Sequence, residues 1–503
     1  MSAPYGPKML NKFTDGRPNS DALGELPFGY NAIHTLSISE NEKWEGMCAY
    51  YLPVIPGNSI WRYSRASQEG DACQGWKLHI SATILTANKV FGAAAPYLKS
   101  RKILFKAPHS LRELEKINSG LYYGYSQIGK FITVYPRDGD EAVSVARRLH
   151  RLTAGSSAPP VPFDFKYRPD GCIYYRYGSF EPLEMKAADG TQIPAMRDRD
   201  GGLIPDLRDS KWIKPGWLVD PFVRRHHRPR VDSIANPLGT TFRAFRALAQ
   251  RGKGGVYKAF DTSASPPRLC ILKEGRRDGE ISWDGRDGYF KVQHEERVLT
   301  SLRAAGVEVP AVYSSFEAQN NYYLVTECIG GETLQEFLSR RRKRLPVARA
   351  LTLVSDLSVL ISRIHSAGWA WRDCKPSNVI ITTDGRLMAV DFEGACPIDR
   401  PDPTPWGTPT FTPPDYSQRG NELSRKYDDF YALGVVLYYL LAGRLPDTSP
   451  PIPLKNLRRN VPREVLKLAG RLLGADPLRR PEAQLVGHKL LDAISSNRRL
   501  TPV

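Results

Sequence analysis

Four polar side chains stand at spacings that suit the transfer of a phosphoryl group. Asp373, Lys375 and Asn378 occupy one short run, and Asp391 follows Asn378 by thirteen residues. Phosphoryl transfer from a nucleotide needs a carboxylate that orients the attacking hydroxyl, a lysine that steadies the phosphate, and an amide and a second carboxylate that hold magnesium. We therefore predict that Asp373 and Lys375 are catalytic, that Asn378 and Asp391 bind Mg²⁺, and that the nucleotide is ATP or GTP.

The elements that precede this run are expected to hold the nucleotide. A glycine-rich turn predicts the hairpin over the phosphates, although such a turn taken alone is usually only a turn. Its glycines are Gly252, Gly254 and Gly255. An alternating apolar strand then ends at Lys273, a candidate ligand for the α- and β-phosphates, and Glu295 in the next helical pattern is its expected ion-pair partner. The strand that ends at Glu327 would lead into the segment that binds the base.

The order of these elements resembles that of a Ser/Thr protein kinase. The lysine two residues after the catalytic aspartate is placed as in Ser/Thr kinases and not as in tyrosine kinases. The chain departs from the family pattern at Trp371, which replaces a histidine, and at Glu393, which replaces the glycine of Asp-Phe-Gly. Neither departure removes a phosphate or metal ligand, and Glu393 suggests that this kinase is not switched by the usual flipping of that motif. A catalytically inactive kinase fold remains the alternative.

The first half carries a second group of cationic residues. Residues 75–81 alternate with period two, which predicts a strand with Lys77 and His79 on one face. Two such side chains are costly in a core and suit a phosphate, but an exposed strand with an accidental pair explains the spacing equally well. Further cationic residues border later apolar strands and tyrosine-rich segments: Lys106, Lys130, Arg168 and Arg176.

Together these residues resemble the N-terminal domain of class III lanthionine synthetases, which is itself similar to the phosphothreonine lyases of bacterial effectors. That resemblance implies a two-step dehydration of a precursor peptide. The kinase would phosphorylate Ser or Thr, and the lyase would eliminate the phosphate to leave dehydroalanine or dehydrobutyrine. By the family pattern Lys106 would abstract the Cα proton, and His79 would protonate the departing phosphate. The phosphate would be held by Lys77, Arg168, Arg176 and Lys130.

The expected base sets a chemical constraint. A free lysine has a pKa near 10.4, so only about one in two thousand is neutral at pH 7. To act as a base, Lys106 would need a pKa depressed by roughly 2–3 units. Neighbouring cations and partial burial lower a lysine pKa, whereas a bound phosphate dianion raises it. The cationic cluster must therefore more than offset the phosphate.

A length of 503 residues suggests two or three domains. We predict an α+β fold with a phosphothreonine-lyase-like domain over residues 1–215, a linker over 216–235 and a two-lobed kinase over 236–503. The N-lobe would span about 236–328 and the C-lobe about 329–495. The sequence stops soon after the expected C-lobe, so we expect no cyclase-like domain of the kind found in the related synthetases. Ring closure would then be spontaneous or supplied by another protein, for which a separate cyclase or a flavin-dependent cysteine decarboxylase is the expected partner.

Composition narrows the cellular setting. The chain shows no apolar run near the ~20 residues of a membrane span and no signal peptide, and its seven cysteines form no Cys-x-x-Cys pair. We therefore expect a cytoplasmic protein that does not bind a membrane. We also expect no nucleic-acid binding, because the basic runs lack interleaved aromatic residues on which bases could stack. The net charge of +18 would attract an acidic peptide.

Two other functions remain open from the sequence. One is a signalling Ser/Thr kinase whose N-terminal domain only binds a phosphopeptide and regulates activity. The other is a basic scaffold or nucleic-acid-binding protein with a degenerate kinase fold. Replacement of Lys106 separates the first from a lyase, because elimination needs this side chain and phosphopeptide binding does not.

Overall fold

The computed structural model describes residues 30–206, 214–222, 237–404, 406–414, 423–446 and 451–496. Most of the predicted linker, 216–235, therefore lies outside the described residues, as do the first 29 residues of the predicted first domain. The helices and strands form a mixed N-terminal part and a second part with the architecture of a protein kinase. The predicted α+β fold class is confirmed.

An antiparallel sheet is the centre of the N-terminal part. Its strands are β1 (Trp61–Tyr63), β2 (Gln74–Ile80), β3 (Leu104–Pro108), β4 (Ile132–Tyr135), β5 (Phe165–Lys166) and β6 (Ile173–Ser179). They lie side by side in the order β1-β3-β4-β2-β6-β5. A separate small sheet follows, formed by β7 (Glu184–Lys186), β8 (Gln192–Arg197) and β9 (Leu203–Pro205).

Helices cover one face of the six-stranded sheet because alternate strand residues on that face are apolar. Leu78, Val134 and Phe105 lie opposite one another on β2, β4 and β3 and are fully buried in one apolar core. The helices that contribute to this core are α1 (Tyr30–Tyr51), α2 (Ala87–Ser100), α3 (Leu111–Ser119) and α4 (Gly139–Leu152). The residues between the apolar ones must project from the opposite face.

A second antiparallel sheet and a helix form the N-lobe of the kinase. The strands, in spatial order, are β10 (Phe242–Arg251), β11 (Gly254–Asp261), β12 (Arg268–Gly275), β14 (Asn321–Glu327) and β13 (Val312–Ala318). Helix α5 (Gly288–Ala304) begins after Asp287, whose carboxylate caps it by accepting a hydrogen bond from the amide of Phe290.

The C-lobe is mainly helical. Its helices are α6 (Leu334–Ser339), α7 (Val347–Ser366), α8 (Lys426–Ala442), α9 (Leu454–Leu457), α10 (Arg463–Leu472) and α11 (Ala483–Ser495). Short strands frame the catalytic segments: β15 (Gly331–Thr333), β16 (Trp369–Ala370), β17 (Val379–Thr382), β18 (Leu387–Ala389) and β19 (Cys396–Pro397). Among the described residues, no helix combines the length and the apolar character needed to cross a membrane.

The two parts touch through residues 276–287, which we call the connecting loop because it joins β12 to α5. Ile281 and Trp283 of this loop pack against the apolar core of the N-terminal part. The guanidinium of Arg276 lies 5.3 Å from the ring centroid of Tyr125. The connecting loop thus stabilises the contact between the first part and the helix that carries Glu295.

Removal of the indole from the connecting loop should weaken this contact. We expect Trp283→Ala to lower the free energy of unfolding by about 2 kcal/mol, less than the cost of truncating a fully buried tryptophan, because Trp283 is only partly buried. Scanning calorimetry measures the effect, with Leu478→Ala as the control because Leu478 is 68% exposed. Equal unfolding temperatures for the Trp283 variant and the wild type would contradict a stabilising contact.

Candidate active sites

The face of the N-terminal sheet opposite the helices carries most of the predicted lyase residues. Lys106, Thr133 and His79 lie directly opposite one another across β3, β4 and β2. Lys77 likewise lies opposite Arg176 across β2 and β6. Residues directly opposite in antiparallel strands project to the same face. The register therefore assembles side chains from four strands on one surface.

These side chains line a pocket of about 370 Å³. Five of the six predicted lyase residues border it: Lys77, His79, Lys106, Lys130 and Arg176. Arg168 does not border it. That side chain is exposed, with its guanidinium 5.3 Å from the ring centroid of Tyr167. The structure thus gives no support to a phosphate contact for Arg168.

Two of the cationic side chains in the pocket are held in place by a backbone carbonyl and a carboxylate. Lys77 Nζ donates a hydrogen bond to the carbonyl of Ser179 at 2.6 Å. Arg176, of which only 2% is exposed, forms an ion pair with Asp206. Because these contacts fix the side chains before any ligand arrives, the pocket is preorganised for an anion.

Asp164 is a site residue that the sequence did not reveal. Its side chain is 1% exposed, its Oδ2 contacts Nδ1 of His79, and its Oδ1 lies 4.0 Å from Lys130 Nζ. Burial by itself would raise the pKa of Asp164, but Lys130 and His79 outweigh that effect and hold the pKa below its usual range. Asp164 therefore stays a carboxylate and can orient the imidazole.

His79 is neutral at pH 7 in this pocket. Burial, together with the nearby charges of Lys130 and Lys77, lowers its pKa to about 3 against the opposing effect of Asp164. A bound phosphate dianion would place negative charge beside the ring and raise the pKa again. We therefore expect His79 to gain its proton together with the phosphorylated substrate.

Lys106 lies at the aromatic side of the pocket. Its Nζ is 4.6 Å from the ring centroid of Trp61, 5.7 Å from that of Tyr63 and 6.0 Å from that of Tyr135. One strand, β4, separates Lys106 from His79. The backbones of their strands are therefore about 10 Å apart, which leaves room for a phosphorylated residue between the two side chains.

A second site lies in the kinase cleft. Lys273 Nζ is 2.7 Å from the carboxylate of Glu295 and 3.4 Å from Asp391. Burial by itself lowers the pKa of Lys273, but the attraction of Glu295 and Asp391 outweighs it, so the pKa lies above its ordinary value. The ammonium that should hold the phosphates is therefore charged and already positioned.

The catalytic loop is held together by hydrogen bonds to Asp373. Its Oδ2 accepts from Lys375 at 2.6 Å and from the amide of Asn378 at 2.8 Å. Thr408, which the sequence did not reveal, donates to Oδ1 at 3.2 Å and accepts from Lys375 at 2.9 Å. Burial raises the pKa of Asp373, and Lys375 opposes that shift. A raised pKa makes the carboxylate a better proton acceptor.

Trp371 positions Asp391 where the kinase pattern has a histidine. Its indole Nε1 donates to the carbonyl of Asp391 at 3.2 Å, and its ring stacks on Phe392 with centroids 5.6 Å apart. The backbone amide of Trp371 is in turn held by Asp429 at 2.8 Å. The bulky replacement therefore fills the core below Asp391, the aspartate predicted to bind Mg²⁺, and keeps it in place.

Close packing explains two of the predicted nucleotide-binding glycines. The amide of Gly252 donates to the carbonyl of Ser119 in the N-terminal part at 3.0 Å, and an added Cβ would lie 1.7 Å from the carbonyl of Asn118. At Gly254, with φ +150°, an added Cβ would lie 1.7 Å from the carbonyl of Glu274. Gly252 is thus required by the contact between the two parts, whatever its role toward a nucleotide.

The remaining predicted contacts fit a magnesium nucleotide in part. Asn378 and Asp391 offer an amide and a carboxylate, hard oxygen donors of the kind Mg²⁺ prefers. A magnesium ion there would neutralise phosphate charge.

The amide of Glu327 donates to the carbonyl of Ala311 at 2.8 Å, and its carboxylate accepts from the amide of Ala311 at 3.2 Å. The amide and one carboxylate oxygen of Glu327 thus hold the residue that precedes β13, and base binding by Glu327 stays a prediction.

Comparison with known protein families assigns both parts. Residues 56–233 match the family described as RamC, N-terminal domain, and residues 250–490 match the protein kinase domain. The chain therefore contains a RamC N-terminal domain followed by a protein kinase domain, which confirms the resemblance predicted from the sequence. A protein kinase domain in general uses ATP and Mg²⁺.

Individual relatives are similar to most or to part of the chain. The chain is 29% identical to a probable SapB synthase of Streptomyces coelicolor over 441 residues, which is 84% of this chain and 46% of that protein. It is 30% identical to the serine/threonine-protein kinase pkn2 of Myxococcus xanthus over 51% of this chain and 32% of the relative. A probable serine/threonine-protein kinase PknB of Lactococcus lactis is 26% identical over 43% of this chain and 35% of its own length. The chain spans less than half the length of these relatives.

Proposed function

We propose that this protein dehydrates Ser and Thr residues of a ribosomally made precursor peptide by phosphorylation and subsequent elimination of phosphate. The observation that carries the proposal is the buried cationic pocket, with Lys106 and His79 in one row of the sheet, on a chain that also has a kinase site. The similarity to a probable SapB synthase supports a peptide-modifying role.

The first reaction would use the kinase cleft. Asp373 would orient the hydroxyl of Ser or Thr and accept its proton, while Lys375 steadies the transferred phosphoryl group. Lys273 would hold the α- and β-phosphates. ATP is the general nucleotide of this domain class, and GTP remains an alternative for this chain.

The second reaction would use the cationic pocket. Lys106 would take the Cα proton. The electron pair of the Cα–H bond would then form the double bond between Cα and Cβ as the bond from Cβ to oxygen breaks. The phosphate would leave with the electrons of that bond and receive a proton from His79. Lys77, Lys130 and Arg176 would stabilise the charge that grows on the phosphate.

Mass spectrometry tests both reactions at once. The protein is incubated with Mg²⁺, ATP and a candidate precursor peptide that contains Ser, Thr and Cys. Loss of water from the peptide supports the proposal. Gain of phosphate without loss of water supports the second candidate, a signalling Ser/Thr kinase whose N-terminal domain binds phosphopeptides, which the kinase relatives favour.

A separate cyclase or a flavin-dependent cysteine decarboxylase remains our prediction for the protein that closes the ring. Affinity purification of the tagged chain from the producing cell, followed by identification of the proteins retained, is the measurement. Retention of such an enzyme would support the prediction. Full conversion of a dehydrated peptide to its ring form without any added enzyme would contradict it.

Removal of the carboxylate beside His79 should slow elimination and spare phosphorylation. We expect Asp164→Asn to reduce the elimination rate by roughly 100-fold or more, because the imidazole loses both its orientation and the group that raises its pKa. A protonated His79 is needed, so elimination falls as pH rises through its pKa in the substrate complex. A lower pKa in the variant moves that fall to lower pH. The pH profile with a synthetic phosphopeptide measures this, and an unshifted profile would contradict it.

A further inference from the structure

Lys253 and Glu393 form a second ion pair in the kinase cleft. Lys253 lies between Gly252 and Gly254 in the glycine-rich turn, and Glu393 follows Asp391 by two residues. Lys253 Nζ contacts Oε2 of Glu393, whose side chain is only 5% exposed. The pair therefore joins the loop expected above the phosphates to the segment that carries a predicted metal ligand.

Three carboxylates, one of them Glu393, lie close together at this ion pair. One ligand oxygen each from Glu295, Asp391 and Glu393 lies within 4.8 Å of the others. Lys273 contacts Glu295 and Asp391, whereas Lys253 contacts Glu393. Without Lys253, the added charge of Glu393 would repel any phosphate brought to Asp391.

The backbone at Lys253 is fixed as well as its side chain. Its carbonyl accepts a hydrogen bond from the amide of Arg276 at 2.8 Å. The same carbonyl sits so close to Gly288 that an added Cβ there would be 1.8 Å away. The first turn of α5 thus supports the glycine-rich turn. The position of the Lys253 ammonium group therefore does not depend on the ion pair alone.

We propose that Lys253 is a second phosphate-binding lysine of the kinase site and that Glu393 positions it. An ammonium group has three donors, so it can keep its bond to Glu393 and also donate to the terminal phosphate of the nucleotide. This proposal rests on the kinase site of the proposed function but not on its peptide substrate. It assigns a role to Glu393, the residue that replaces the glycine of the kinase pattern.

Binding of nucleotides with and without the terminal phosphate tests the proposal. The probes are the fluorescent N-methylanthraniloyl derivatives of ATP and ADP, each with Mg²⁺, titrated into the full chain. We expect Lys253→Met to weaken binding of the ATP probe by about 10- to 100-fold and binding of the ADP probe by less than about 3-fold. This is the effect expected for loss of one charge-assisted hydrogen bond to the terminal phosphate. Equal weakening of both probes, or of neither, would overturn the proposal.

Three further variants separate a phosphate contact from a structural role. Lys253→Arg should retain most of the preference for the ATP probe, because it retains the charge. Lys455→Met, at an exposed position of the C-lobe, should change nothing. Addition of Glu393→Gly to Lys253→Met should restore part of the ATP binding, because the repelling carboxylate is gone. A double variant no better than Lys253→Met would contradict the pairing.

The outcome does not depend on peptide dehydration. Nucleotide binding needs no peptide, so a failure to dehydrate any peptide would leave this test intact. If Lys253→Met lowers the unfolding temperature, the result for Lys253→Arg decides the test, because this variant preserves the ion pair with Glu393. Loss of the preference for the ATP probe in a folded Lys253→Arg variant would then count against the proposal.

Discussion

Asp373→Asn is expected to abolish phosphate transfer to the peptide, with a loss of rate on the order of 10³-fold or more. The variant keeps the shape of the side chain but cannot accept the hydroxyl proton. It also disturbs the loop, because Asp373 Oδ2 accepts hydrogen bonds from both Lys375 and Asn378. Oδ1 also accepts a hydrogen bond from Thr408, and an amide has only one oxygen for these three donors. The measurement is the mass of the peptide after incubation with ATP and Mg²⁺, which should not change.

A phosphorylated peptide separates this effect from a general loss of structure. Supplied with a synthetic peptide that already carries phosphoserine, the Asp373 variant should still eliminate phosphate at the rate of the wild type. Among the residues that the structure describes, those lining the pocket on the N-terminal sheet all lie before the kinase domain. Phosphorylation of unmodified peptide by Asp373→Asn at more than a few per cent of the wild-type rate would refute the role of Asp373 as base.

Short-range patterns predicted much of the kinase site. Asp373, Lys375 and Asn378 lie on one loop, so their separation in sequence fixes their separation in space. Lys273 and Glu295 were expected to pair across the order strand–helix, and the structure brings them to 2.7 Å. The order of elements was informative because a kinase fold must place each of them at the same cleft.

The pairing of strands determines which residues line the pocket of the N-terminal sheet, and no local sequence pattern contains this pairing. Arg168 and Arg176 occupy similar tyrosine-rich surroundings eight residues apart. Only Arg176 belongs to β6, where it lies opposite Lys77. Arg168 lies between β5 and β6 and is exposed. Alternation within β2 predicted the shared face of Lys77 and His79, but pairing between strands determined which cations join them.

Contacts between distant segments were also invisible in the sequence. Asp164 reaches His79 from 85 residues away, and no pattern around Asp164 marks it as a ligand of the imidazole. The glycine at 252 was expected to serve the nucleotide, whereas its amide donates to Ser119 of the N-terminal part. In both cases the constraint comes from the packing of one segment against another, which composition and periodicity do not record.

Lys106→Met is expected to separate the two reactions by trapping phosphorylated peptide. Methionine keeps nearly the length and the apolar stem of lysine, so it should still fill the space beside Trp61, Tyr63 and Tyr135, while the basic nitrogen that lies over these rings is lost. The other two lysines among the described residues that line the pocket have partners of their own. Lys77 donates to the carbonyl of Ser179, and Lys130 lies beside Asp164, so we do not expect either to replace Lys106. Elimination should fall by roughly 10³-fold, within the range for loss of a general base.

The same variant distinguishes a lyase from a phosphopeptide-binding domain. If the pocket only binds phosphate, Lys106→Met should leave the products of the wild type unchanged, since Lys77, Lys130 and Arg176 still supply the charge. If the pocket eliminates phosphate, the wild type yields dehydrated peptide and the variant yields phosphopeptide from the same reaction. Thr133→Ala is the matched control, because Thr133 lies between Lys106 and His79 in the same row, but its hydroxyl group is too weak a base to take the Cα proton. Fully dehydrated peptide from Lys106→Met would mean that another group removes the Cα proton, and the role of the row would have to be reassigned.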